Sequence, residues 1–386
     1  MPGDALKSYA NVADFLRRTK PRHPVYCIYP HVYKETAQHF LAGFPGRVLY
    51  AVKANNHPAI LRLLFDAGVR NFDCASLQEI RLVHETCPGA RLYFMNPVRF
   101  EDDARQAQEQ FGVQHFLIDH HSGLAPLVNE IDVSKAVIFA RMAVSHASAQ
   151  ADLSSKFGAK PGDIPSLLSA IADSGAEPAL AFNVGSGVVD PEAYAYAIGI
   201  AADALTRIPF KIRLLDIGGG FPKSYPGLVV PSLEQFFERT RSAAKSLPLA
   251  GNGELLSEPG RALSAPGLSA ITSVLLKKSD RLYLNDGMYG IFWELRFKGQ
   301  LQYAKRVFRN GRALDGETKA FRLLGPTCDS TDELPVRVEL PIDIAVGDHI
   351  EFGSIGAYSL SGRTNFNGFY SDDVVALIDA NARPPA

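Results

Sequence analysis

The sequence predicts an α/β protein built as a (β/α)8 barrel followed by an antiparallel β domain. Three observations carry this. Short apolar runs alternate with amphipathic segments from about residue 48 to residue 261, a polar residue closes nearly every run, and helical periodicity fades after about residue 268.

The apolar runs are Val48–Val52, Val69–Phe72, Arg91–Met95, Val113–Ile118, Ala136–Ala140, Ala179–Phe182, Ile212–Ile217 and Glu254–Ser257. Their β-branched and aromatic content predicts strands. Helical patterns lie between them, among them Pro58–Ala67, Leu77–Glu85, Pro191–Thr206 and Ser232–Ser246. Alternating strands and helices imply a parallel sheet with right-handed crossovers. About eight such units over this length suit a barrel of the TIM type, with a doubly wound open sheet as the alternative. Lys53, Asp73, Asn96, Asp119, Arg141, Asn183, Gly218-Gly219-Gly220 and Glu258 each lie just beyond one run. One polar strand end signifies little, but a barrel turns all its C-terminal ends toward one mouth, and such a convergence favours the barrel.

After residue 268 the strand-like runs are Ala270–Leu276, Arg281–Leu284, Ala320–Leu324, Val336–Leu340, His349–Phe352 and Val374–Ile378. They predict an all-β domain. The boundaries read as 29–267 for the barrel and 268–386 for the β domain, with a strand from within 1–28 (Val25–Tyr29) added to the latter.

Composition narrows the function classes. With a formal net charge of −1 over 386 residues there is no basic field for nucleic acid or an anionic membrane. No apolar stretch reaches the roughly 18 residues of a membrane span, and the first residues lack the apolar core of a signal peptide, so a cytoplasmic protein is expected. Cys27, Cys74, Cys87 and Cys328 form no CxxC pair, so no metal site is expected and the thiols should be free.

Lys53 closes Leu49-Tyr50-Ala51-Val52. Such a lysine usually snorkels its charge to water. At a barrel mouth its stem would be buried, and desolvation would lower its pKa toward the neutral amine that forms Schiff bases. The Gly218–Gly220 run is either a tight turn or a backbone that lets a phosphate approach its amides. Glu258 could bond a pyridine nitrogen, and Arg261 a phosphate; a Glu–Arg surface pair is the plainer alternative.

Taken in order, Tyr50-Ala51-Val52-Lys53, Phe72-Asp73-Cys74-Ala75-Ser76, Val184-Gly185-Ser186-Gly187, Leu215-Asp216-Ile217-Gly218-Gly219-Gly220-Phe221-Pro222, Glu258-Pro259-Gly260-Arg261, Gly325-Pro326-Thr327-Cys328-Asp329 and Gly356-Ala357-Tyr358 resemble the fold-type III decarboxylases that use pyridoxal 5′-phosphate (PLP). That group includes the ornithine, lysine and diaminopimelate decarboxylases and shares its barrel with alanine racemase; the eukaryotic-type ornithine decarboxylases are the nearest. The likeness runs from about Val25 to Leu377. It implies a Schiff base on Lys53, Glu258 on the pyridine nitrogen, and Ser186, Gly218, Gly219, Gly220, Arg261 and Tyr358 around the phosphate. Asp73 and Arg141 would belong to the network around Lys53 and the cofactor. Cys328 would return a proton to the substrate carbon. Cys328 and Asp329 would enter from a partner subunit, so a homodimer with shared sites is implied.

Two positions depart from the family pattern. Asn183 stands where a histidine usually lies against the cofactor ring, and an amide neither stacks as an aromatic nor carries a proton. Lys298 stands where an aspartate usually pairs with the distal amine of the substrate. A lysine there would repel that amine by roughly 4 kcal/mol at about 4 Å and an effective dielectric near 20. Glu294 or Asp329 could then receive the amine. The default expectation is decarboxylation of L-ornithine or L-lysine to the diamine, as in polyamine biosynthesis. A larger or acidic-tailed diamino acid, from a siderophore or polyamine pathway, is the alternative. Racemization, or an inactive homologue that binds the regulator of an active decarboxylase, follows behind.

Overall fold

The computed structural model describes residues 6–149, 155–297 and 301–386. A short strand β1 (Ser8–Tyr9) and β2 (Val25–Ile28) come first. The barrel strands follow as β3 (Arg47–Ala51), β4 (Asn71–Cys74), β5 (Arg91–Phe94), β6 (His115–Ile118), β7 (Val137–Met142), β8 (Glu177–Phe182), β9 (Leu214–Asp216) and β10 (Glu254–Ser257). All are parallel, and β10 closes the ring by pairing with both β9 and β3.

Alternation along these strands fills the interior. Leu49, Tyr93, Leu117, Phe139, Ala181, Leu214 and Leu256 point inward as one cluster, so the barrel is a packed core and not a pore. Neighbouring positions such as Tyr50, Phe72 and Ile138 face the helices. The helices start where their sequences provide caps. Ser76 accepts the Glu79 N–H at 3.2 Å while Glu79 accepts the Ala75 N–H at 2.7 Å, which opens Leu77–Thr86. Pro58 sits in the first turn of Pro58–Asp66, and Ile60, Leu61 and Leu64 bury that helix against the barrel.

The second sheet comprises β11 (Leu268–Lys278), β12 (Arg281–Leu284), β13 (Lys305–Arg309), β14 (Arg312–Ala313), β15 (Thr318–Leu324), β16 (Val338–Pro341), β17 (His349–Phe352) and β18 (Val374–Leu377), with β1 and β2. It is mostly antiparallel, with parallel pairs at β1–β18, β18–β2 and β12–β15. The hairpin β13–β14 is absent from the sequence expectation because Lys305, Arg306 and Arg309 break up its apolar pattern. Pairing with the β17 backbone makes it a strand regardless.

The sheet touches the barrel at the Lys53 turn. The Asn55 side-chain amide donates to the Gly356 carbonyl at 2.8 Å, and the Tyr358 N–H donates to the Ala54 carbonyl at 2.8 Å. Gly356 is there because nothing larger fits: a Cβ would stand 1.9 Å from the Ser264 carbonyl oxygen. Gly356→Ala is therefore expected to destabilise the protein by about 1–3 kcal/mol through overpacking, read as a lower midpoint of thermal unfolding by circular dichroism.

Candidate active site

The C-terminal ends of the barrel strands open into a cavity of about 250 Å³ lined by Lys53, Arg141, Lys156, Phe157, Asn183 and Glu258, among others. Lys53 leaves β3 on a single 3-10 turn, Val52–Ala54. Its side chain is walled in by the barrel yet keeps 46% of its surface open to the cavity, and its Nζ bonds Asp73 Oδ2 at 3.0 Å. Desolvation lowers the pKa of this amine, but Asp73, Glu258 and Tyr358 outweigh it, and the pKa ends above the ordinary lysine value. This corrects the expectation of a neutral amine: the carboxylates hold the ammonium in place.

Three carboxylates at the ends of barrel strands β4, β9 and β10, namely Asp73, Asp216 and Glu258, are all buried. Burial, followed by the charges of Asp73 and Asp216, pushes Glu258 well above the usual carboxylate range; Lys53 and Arg141 pull it back. Asp216 is raised to about 7, by burial first and by Asp73, against a bond from the Gly218 N–H. Asp73 Oδ1 and Asp216 Oδ2 have no hydrogen-bond partner. Asp216 is a residue that reading the sequence for function passed over. The signal was available: an acid in an apolar strand, two residues before the glycine run.

The glycine run forms a cradle. Gly218 (φ 71°) and Gly220 (φ 95°) take the left-handed region that side chains disfavour. The Asn183 side-chain oxygen accepts the Gly185 N–H at 3.0 Å, which fixes the start of the Val184–Gly187 turn. Ser186 lies between Gly185 and Gly187, both at positive φ. Asn183 thus shapes a backbone turn as well as lining the cavity.

Arg261 lies beyond Glu258, 6% exposed. It does not pair with Glu258 at the surface. Its guanidinium meets Glu294 in a two-pronged ion pair, with Nη1 at 2.9 Å from Oε2 and Nη2 on Oε1, and Nη1 also reaches the Tyr225 hydroxyl at 3.1 Å. The Tyr358 ring lies 5.4 Å from the guanidinium carbon, on a backbone at φ 59°. Burial opposes the charge of Arg261, but Tyr225 and Glu294 keep it cationic, with its pKa well above the ordinary value. Arg261 Nε is buried without a partner. Glu294 is therefore engaged by Arg261. Sequence spacing could not reveal that partner.

Cys328 and Asp329 lie outside this cavity. They line a second one, of about 500 Å³, with Leu275, Leu276, Thr327 and Phe369. Asp332, buried, pins their loop by accepting from Thr327 Oγ1 at 2.7 Å and from the Met288 N–H at 2.7 Å. Asp329 accepts a bond from the Tyr289 hydroxyl. Lys298 lies outside the described residues. Asn96 and Asp119 serve the backbone: Asn96 donates to the Ala75 carbonyl at 3.1 Å, and Asp119 accepts the Gly158 N–H at 3.0 Å.

A cationic amine held beside buried acids, next to a glycine cradle and a buried arginine whose Nε has no partner, defines a barrel enzyme suited to a phosphorylated carbonyl cofactor. The comparisons narrow this. The profile described as "Pyridoxal-dependent decarboxylase, pyridoxal binding domain" matches residues 32–265. The chain is 30% identical over 357 residues to the ornithine decarboxylase of Mus musculus, covering 84% of this chain and 74% of that protein. It is 30% identical over 366 residues to antizyme inhibitor 2 of Xenopus laevis, covering 87% and 76%. Among solved structures, the lysine/ornithine decarboxylase of Vibrio vulnificus complexed with cadaverine matches with a TM-score of 0.80 at 27% identity, covering 92% of this chain and 94% of that one. The chain belongs to the pyridoxal-dependent decarboxylases, and its activity is PLP-dependent decarboxylation of an amino acid.

The carboxylate cluster makes stability depend on pH. The folded-state pKa of Asp216, about 7, lies above the unfolded value of 3.8. Protonation therefore favours the fold, and this contribution falls away as pH rises through that window. Asp216→Asn keeps an acceptor for the Gly218 N–H and removes the titration. Its urea midpoint should exceed that of the wild type at pH 8 and vary less between pH 4 and 7.

Proposed function

We propose that the chain decarboxylates an L-diamino acid, ornithine or lysine by default, as a homodimer whose two active sites are each completed by the partner subunit. The observation that carries this is the Lys53 ammonium, held 3.0 Å from Asp73 in the cavity that also contains Glu258. Lys53 is the covalent attachment point. Bound there, PLP supplies an electron sink for the carbanion left when carbon dioxide departs. Glu258 would bond the pyridine nitrogen. Ser186, the Gly218–Gly220 amides, Arg261 and Tyr358 would hold the phosphate. Asp73 orients the lysine, Arg141 balances the carboxylates, and Asn183 would help line the cofactor's side of the cavity.

Cys328, exposed on its own subunit, is the proton donor to the neighbouring site, and Asp329 reaches the substrate beside it. A homodimer is supported by the apolar residues around this loop: Leu275, Leu276 and Phe369 are 50%, 41% and 41% exposed. A patch of this kind marks an association surface. No helix among the described residues is long and apolar enough to cross a membrane. All four cysteines are free, as in the reducing cytoplasm where we place the protein. A role in polyamine formation follows from the default substrates.

A second reading, decarboxylation of an acidic-tailed diamino acid, is favoured by the cations in the cavity wall. Arg141 and Lys156 lie over the Phe157 ring at 5.5 and 4.7 Å from its centroid. Such a wall suits a distal carboxylate better than a distal ammonium.

Carbon dioxide release from a panel of L- and D-amino acids and carboxylated diamino acids separates these readings. Release from ornithine or lysine is expected; release confined to acidic-tailed substrates installs the second reading, and none from any substrate refutes both. Borohydride reduction followed by peptide mapping should place the pyridoxyl group on Lys53. For the shared site, Lys53→Ala and Cys328→Ala should each be nearly inactive. Randomly mixed subunits of the two should regain about a quarter of wild-type activity, because half the dimers then contain one intact site of two. No recovery on mixing would place Cys328 and Lys53 in the same subunit's site.

A further inference from the structure

The buried pair Arg261–Glu294 is more than a support for the fold. A guanidinium offers five N–H donors. Here both Nη1 hydrogens are committed, to Glu294 and to Tyr225, one Nη2 hydrogen goes to Glu294, and Nε has no partner. An anion arriving at Arg261 finds the end of the fork occupied by a carboxylate and only its side edge open. It also meets an ion pair in place of a free cation. The carboxylate has a second neighbour to fall back on, since the Tyr303 hydroxyl lies 3.5 Å from Glu294 Oε2. The pair is buried on both sides, at 5% and 6% side-chain exposure, so water screens it little.

We propose that Glu294 is a resident counter-anion of Arg261 that competes with the cofactor phosphate, so that this carboxylate sets how strongly the protein selects the phosphorylated cofactor over its unphosphorylated form. Tyr225 and Tyr303 make the competition workable. Tyr225 holds Arg261 in place when Glu294 lets go, and Tyr303 keeps a hydroxyl on Glu294. The gain is reversible loading: a cofactor gripped by an unopposed arginine would leave more slowly. The inference rests on the cofactor reading above, and the test separates failure of one from failure of the other.

The experiment titrates the cofactor-free protein with PLP and, separately, with pyridoxal, following the change in absorbance, in the wild type and in Glu294→Gln and Glu294→Ala. Both variants remove the competing charge; the glutamine keeps the shape. The ratio of pyridoxal to PLP dissociation constants should rise by roughly ten- to a hundredfold in the variants, the range that one buried charge commands. Affinity for pyridoxal should change little. Inorganic phosphate, added alone to the cofactor-free protein, should raise the thermal midpoint at correspondingly lower concentration in the variants. An unchanged ratio, or one that falls because Arg261 has lost its alignment, overturns the proposal and makes Glu294 a support for Arg261. If the wild type binds neither PLP nor pyridoxal, the cofactor reading itself fails. A glutamine variant too unstable to purify leaves the alanine variant and the phosphate response to decide the matter.

Discussion

Closure of the barrel is the constraint on which the rest depends. When β10 pairs with β3, Ser257 comes level with Val48, and the ends of these strands carry Glu258 and Lys53 to one rim. Pairing of β4 with β3 sets Asp73 beside Ala51, two residues before the lysine. No side-chain interaction has to bring these groups together, because the register of parallel strands has already done so. The cost is electrostatic: three acids meet in a space where burial penalises each charge. The site answers with Lys53 and Arg141 as cations and with protons retained on the acids.

The second sheet acts on this rim from outside. The hydrogen bonds from Asn55 and Tyr358 fasten the Lys53 turn to a sheet with its own core. Tyr358 reaches the arginine only with a backbone in the left-handed region, a strain that the surrounding contacts must offset. The same sheet carries Cys328 on a loop tied down by Asp332, in a cavity that Lys53 does not line. In the proposed dimer one β domain would therefore finish the phosphate side of one site and the proton side of the other.

Much of this was legible in the sequence. Lys53, Asp73, Arg141 and Glu258 stand out because a short apolar run that ends on a charge is a one-dimensional signal. The parallel barrel followed from the spacing of those runs. What escaped was whatever depends on a partner remote in the chain. Glu294 is ordinary in sequence and becomes notable only once folding sets it against Arg261. Asp216 was hidden inside its own strand motif, although its burial makes it one of the more strongly perturbed acids. The direction of the Lys53 shift was misjudged for the same reason: desolvation can be inferred from a strand, but the two carboxylates that outweigh it arrive from other strands. The β13–β14 hairpin was missed because backbone pairing with β17 overrides a charged sequence.

The order of strands in the second sheet has a consequence for how the molecule is made. β18, the last strand of the chain, lies between β1 and β2, which are the first. In chain order the barrel strands come before that sheet can be completed, and β2 has β11 on one side well before β18 closes the other. Ile271 and Phe308 can already pack on the apolar face of β2 and the helix Val12–Arg18, and Val375 and Leu377 of β18 complete that cluster. The nascent barrel thus holds its lysine and acids in register while the Gly356–Tyr358 clasp is still unmade. Capacity to retain cofactor should accordingly come after the barrel itself, once residues 356–358 have been made.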